Sequence, residues 1–152
     1  MATINHFRSL ESWKLSRIIS KEIFEIIVNT ESFRKDYALR DQMRRSSGSI
    51  MDNIAEGFGR GNNKEFILFL GYSLGSCSEF VSQLYRAEDS GYLSSLQRDK
   101  LEKETERTEA LIRGLLDYLK KTTIRGKRYK VEESSQGYFT KNILPFEDLI
   151  HY

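Results

Sequence analysis

Apolar residues recur at steps of three and four in four successive stretches of this 152-residue chain, and no stretch of convincing length alternates apolar with polar. That spacing is the helical period, so the chain is restricted to an all-α fold in which each helix buries a stripe. Leu15, Ile19, Ile23 and Ile26, reinforced by Ile18, Phe24 and Ile27, predict a helix over about 10–28, with Trp13 anchoring its start. Thr30, Glu31 and Ser32 then offer stop and turn chemistry. Leu39, Met43, Ser47, Ile50 and Ile54 predict a second helix ending near Glu56, after which Gly57 can take the left-handed conformation that closes a helix. Phe66, Leu70, Leu74, Cys77, Val81 and Leu84 mark a third. Leu101, Thr105, Thr108, Ile112, Leu115 and Leu119 mark the inward seam of a fourth, running to about Lys121.

The links between these helices carry their own signals. Asn62 with Glu65, and Ser94 with Gln97, stand at capping-box spacing, and Gly91-Tyr92-Leu93 ends the third helix. Short links make neighbouring helices antiparallel, so residues 1–121 are expected to form an antiparallel up-and-down four-helix bundle. From Thr122 the pattern changes to a basic segment and then scattered aromatic and aliphatic residues, with the chain's single proline at Pro145. Residues 122–152 are therefore read as a non-bundle C-terminal extension, whose apolar anchors suit docking on a neighbouring protomer or on a different protein.

Self-association is expected from the third helix. Besides its core stripe it carries Phe69, Tyr72, Ser76 and Phe80 on another side, and one monomer core should not need both. Gly71, Gly75, Ser78 and Ser82 would allow a second helix to approach closely, and Ser46, Ser47, Gly48 and Ser49 do the same in the second helix.

Catalysis lacks parts. His6 and His151 sit near opposite ends of the chain, and neither belongs to a Glu-x-x-His pair of the di-iron type. Cys77 lies in an apolar helical run without a neighbouring histidine, which suits a core thiol in a reducing cytoplasm. The loop from Gly57 to Gly61 has no preceding strand and no Walker lysine. Glu56, Glu65 and Glu79 are best read as partners for arginines. No enzyme, metal or cofactor is expected. The apolar run from Phe66 to Cys77 is too short to cross a bilayer, and no secretory segment opens the chain, so a cytoplasmic protein is expected.

The formal net charge is only +2, yet the cations are unevenly placed. Arg44, Arg45, Arg60 and Lys64 lie in the second helix and the turn after it, and Lys120, Lys121, Arg125, Lys127, Arg128 and Lys130 lie where the bundle ends. These ten are the candidate nucleic-acid-binding residues, since local patches attract phosphate despite a near-neutral total. Arg44 and Arg45 point about 100° apart on a helix, so one can meet an interface carboxylate while the other faces a groove. Asp52 places a negative charge beside that basic helix.

The run from Asp41 to Arg60, with the string Asn53-Ile54-Ala55-Glu56-Gly57-Phe58-Gly59-Arg60, together with Phe7-x-x-Leu10-x-x-Trp13, Lys64-Glu65-Phe66 and Leu74 to Glu79, resembles the family of four-helix-bundle proteins encoded by intervening sequences in bacterial 23S rRNA genes. The accessory variability determinant of diversity-generating retroelements is similar to the same pattern. The likeness covers about 7–119. Met51-Asp52 stand where a Pro-Ser pair is common in the family, and Ser46-Ser47 replace a small apolar pair. The resemblance implies a bundle assembled as a homopentamer, non-enzymatic, binding RNA or DNA without reading its sequence, with a reverse transcriptase as a further partner. The rival function is a protein-interaction or structural scaffold whose arginines serve only the oligomer.

Overall fold

A computed structural model of the chain describes residues 4–123. Past a single 3-10 turn at Phe7–Ser9, helix α1 spans Glu11–Asn29, α2 Glu31–Lys35, α3 Tyr37–Gly59, α4 Asn63–Asp89 and α5 Ser95–Thr123. No strand occurs among the described residues. The four long helices pack α1 on α3, α3 on α4, α4 on α5 and α5 back on α1, which is the expected all-α bundle with each helix antiparallel to the next. Beyond Thr123, Arg125, Lys127, Arg128 and Lys130 lie outside the described residues, as does the rest of the C-terminal extension.

The helical seams enclose one core. Ile19, Ile23 and Ile27 of α1 meet Met43, Ile50 and Ile54 of α3, Phe66, Leu70, Cys77, Phe80 and Leu84 of α4, and Leu101, Ile112 and Leu119 of α5. Thr105 and Thr108 are also fully buried, and each hydroxyl donates one turn back, to Leu101 O at 2.7 Å and Glu104 O at 2.9 Å. A threonine can therefore stand at a core position without an orphaned hydroxyl.

Both expected capping signals form. Asn62 Oδ1 accepts from Glu65 N at 2.9 Å, and Ser94 and Gln97 make the reciprocal box, Gln97 N to Ser94 Oγ at 3.1 Å and Ser94 N to Gln97 Oε1 at 2.9 Å. Gly61 and Gly91 take positive φ, +76° and +77°, so left-handed glycines lie beside both ends of α4.

Three expectations need correction. The stop at Thr30 is real, but Glu31–Lys35 make another helical turn rather than a loop, because Phe33 is fully buried there and stacks on Tyr92 at 4.8 Å. Asp36 then caps α3 by accepting from Leu39 N, and its other oxygen accepts from Tyr92 Oη at 3.1 Å. Secondly, α3 does not end at Gly57 but continues to Gly59. Gly57 is buried in the helix because α4 needs the space: a Cβ there would lie 2.6 Å from Phe69 Cβ. Thirdly, the second stripe of α4 is not surplus throughout, since Phe80 is fully buried in the monomer core and Phe69 lies against Gly57. The apolar residues left in solvent on α4 include Leu68 and Tyr72, 47% and 51% exposed.

The α1–α5 seam includes an acidic contact. Lys100 Nζ reaches Glu22 Oε1 at 2.8 Å and lies 4.0 Å from Glu104, whose Oε2 is buried without a hydrogen-bond partner. Burial first, and then the Glu22 charge, holds the Glu104 carboxyl above the usual carboxylate range. A raised folded value means that its contribution to stability is present in acid, below the ordinary carboxylate pKa, and is lost as pH rises through the raised one. Glu104→Gln is therefore expected to raise Tm at pH 7.5 and to lose that gain near pH 4. Two neighbouring glycines should respond oppositely in the same thermal melts. Gly57→Ala overpacks the α3–α4 contact and should destabilise by about 1–3 kcal/mol, whereas Gly59→Ala, with open space around its Cβ, should stabilise by roughly 0.5–1 kcal/mol.

Candidate functional site

Several cations on this bundle are already neutralised. Lys14 pairs with Glu11, Lys35 with Glu31, Arg60 with Glu56, Lys100 with Glu22 and Arg113 with Glu109. Arg98 collects Glu88, Asp99 and Glu102 at 2.6–2.7 Å and ties the end of α4 to the start of α5. Exposed pairs of this kind contribute little to stability, but they cancel the field that a distant anion would feel.

A cleft between α1 and α3 differs. Arg17, Ser20, Lys21 and Phe24 stand at i, i+3, i+4 and i+7 on one face of α1, and Arg44 and Met51, seven apart, face them from α3. The cleft encloses about 440 Å³. The Arg44 guanidinium lies over the Phe24 ring, 5.1 Å from its centroid, and that of Arg17 lies 5.8 Å from the Trp13 ring. Neither arginine makes an ion pair among the described residues. Lys21 has only an exposed contact to Glu25 at 3.7 Å. Three cations thus border an apolar floor, an arrangement suited to an anion carried on a flat or apolar body.

The other sequence-derived candidates are dispersed. Arg45 is exposed, one helical step of about 100° from Arg44 and so away from the cleft. Arg60 is occupied, bonded to Glu56 at 2.5 Å and lying over the Phe69 ring at 5.1 Å. Lys64, exposed in the first turn of α4, shares one end of the bundle with exposed Lys120 and Lys121 at the end of α5, where Asn63 Nδ2 donates to Thr122 Oγ1 at 3.2 Å. Arg44 therefore belongs to one cationic group, and Lys64, Lys120 and Lys121 to another.

Sequence reasoning missed Arg17 and Lys21. Their signal was a charged pair sharing a helix face with an aromatic residue in a helix whose core positions were already filled by isoleucine. Of the acids singled out, Glu56 pairs with Arg60 as expected, and Glu79 accepts from Gln83 Nε2 at 3.1 Å. Asn53 Nδ2 donates to Ser49 O one turn back in its own helix at 2.8 Å.

The family model described as 23S rRNA-intervening sequence protein matches residues 8–114, more than two thirds of the chain. The chain belongs to that family. A crystal structure of a protein of unknown function from the S23 ribosomal protein family of Bacteroides thetaiotaomicron superposes with a TM-score of 0.62 at 20% identity, covering 69% of this chain and 97% of that one. At that identity the likeness speaks for the fold. No curated protein gives a significant match. The family match takes in α1, α3, α4 and the cleft, and it stops inside α5 before Lys120 and Lys121.

The described residues include one thiol, that of Cys77. No group of three or more His, Cys, Asp or Glu side chains is placed to hold a metal there. No described helix is long and apolar enough to cross a membrane. Cys77 is fully buried, and burial, with Glu109 second, pushes its thiol up to about 12. Only the thiolate attacks alkylating reagents, so Cys77 is expected to resist iodoacetamide at pH 8 in the native protein and to react in full once denatured, as read by mass spectrometry.

Proposed function

We propose that the protein is a non-enzymatic, self-associating nucleic-acid-binding accessory protein that grips phosphate backbone at the α1–α3 cleft. The observation that carries this is charge brought together: Arg17 and Arg44, neither with a carboxylate partner among the described residues, border one cleft with Lys21. Guanidinium groups bind phosphate bidentately and stay charged at every physiological pH. Phosphate contacts carry no sequence information, so binding to RNA or DNA is not sequence-specific.

One cleft with three cations is a weak binder, and repetition makes it useful. The outer face of α4 is the surface we assign to self-association: Leu68 and Tyr72 are exposed beside Gly71 and Gly75, where a Cβ would meet nothing within 4 Å. Several clefts in one assembly act on one polymer, and avidity then exceeds the affinity of each. The resemblance to retroelement accessory proteins supports a pentamer as the assembly and a reverse transcriptase as a further protein partner. The cationic end with Lys64, Lys120 and Lys121, leading to Arg125, Lys127, Arg128 and Lys130, is the second nucleic-acid contact in this reading. A cytoplasmic location agrees with the unpaired Cys77.

Retention of a labelled RNA or DNA is expected to weaken steeply between about 50 and about 200 mM salt, and the double variant Arg17→Ala/Arg44→Ala should lower the slope of log affinity on log salt by about two. A protein that retains neither polymer at low salt overturns the proposal and leaves the protein scaffold. Light scattering tests the assembly separately: Tyr72→Glu on the α4 face should shift the particle mass toward the 17.8 kDa monomer.

A further inference from the structure

The cleft holds one residue that a phosphate grip alone does not require. Phe24 stands among Arg17, Lys21 and Arg44 with 44% of its surface exposed, on a helix whose core face is already supplied by Ile19, Ile23 and Ile27. The guanidinium resting on its ring has no ion pair among the described residues to hold it there, so Arg44 can swing to a phosphate and leave the ring to another flat group. Two more pairings of this kind lie on the same two helices, Arg17 with Trp13 on α1 and Arg40 with Tyr37 on α3. Seven residues, about 10 Å of helix rise, separate Arg17 from Phe24 on α1, and seven separate Tyr37 from Arg44 on α3. Tyr37 is 66% exposed, although Arg40 beside it is neutralised by Asp41 at 2.9 Å, which leaves Arg17, Lys21 and Arg44 as the cationic centre.

Interleaved cations and exposed rings distinguish two forms of nucleic acid. A duplex keeps its base faces stacked inside and offers phosphate and sugar, against which an exposed phenyl ring gains little. An unpaired strand offers its base faces, and stacking on an aromatic side chain is favourable for every base. We propose that the α1–α3 cleft takes an unpaired nucleic-acid strand, with backbone phosphates on Arg17, Lys21 and Arg44 and a base stacked on Phe24. This rests on the nucleic-acid reading above and narrows it to single strands. The groups used, phosphate charge and a base face, are common to RNA and DNA, so the cleft selects strandedness before sugar.

The test is fluorescence anisotropy with a labelled oligonucleotide of about 12 residues, within the span of common single-strand sites, presented alone and annealed to its complement, as RNA and as DNA, to the full chain at low salt. The strand is expected to bind at least about ten-fold more tightly than the duplex, and Phe24→Leu, which keeps apolar bulk without a ring, should lose about ten-fold for the strand and nothing for the duplex. Phe24→Trp should retain strand binding, which separates loss of stacking from loss of fold. A strand preference with RNA alone assigns the cleft to RNA, and with DNA alone to DNA, and each supports the inference. Duplex binding as tight as strand binding, or a Phe24→Leu protein with unchanged strand affinity, overturns it while leaving nucleic-acid binding intact. If neither form is retained, the underlying reading itself fails.

Discussion

The contact between α3 and α4 is the constraint on which the rest of the bundle depends. At one end the backbone of α3 comes so near α4 at Gly57 that no side chain fits between it and Phe69. Further along, Ser73 Oγ of α4 donates to Ile50 O of α3 at 2.7 Å, and Ser46 Oγ donates to Gln83 Oε1 at 2.5 Å. All three side chains are buried. Sliding one helix past the other would leave these polar groups in the core without partners, at a cost of about 1–3 kcal/mol for each. The close approach and the buried polar groups therefore specify one register, where hydrophobic seams alone would tolerate several. With α3 set against α4, Arg44 and Met51 have no choice but to face α1.

The regular part of this arrangement was legible in the sequence because it depends on period and on local chemistry. The α5 seam from Leu101 to Leu119 and the box of Ser94 with Gln97 involve residues a few positions apart, and local spacing reports them directly. What escaped was decided by contacts distant in sequence. Phe33 turns a supposed loop into α2 because Tyr92, far along the chain, offers it a stacking partner. Gly57 looks like a helix end, since glycine does end helices, but here its missing side chain makes room for another helix. Phe80 looked surplus only while the third helix was considered without its neighbour.

The candidate site was legible in half. Arg44 was singled out for its chemistry and does border a cleft, whereas Arg17 and Lys21 sat in a helix read only for its core. Counting charges could not separate them from Lys14 or Lys35, because what distinguishes Arg17 and Lys21 is the cleft they share with Arg44 of another helix. A net charge of +2 therefore hides a surface on which ion-paired cations alternate with others that meet no acid. Membership of the 23S rRNA-intervening sequence protein family agrees with the fold and leaves these surface details to the individual chain.

The two left-handed glycines flanking α4 have a consequence for size. A helix with a cap at its start and left-handed turns beside both ends can neither creep into its loops nor shorten without losing a turn that glycine makes easy. The 27 residues of α4 thus form a rod about 40 Å long. Any second copy laid along its outer face meets a ruler whose length is settled within the monomer, before any partner arrives.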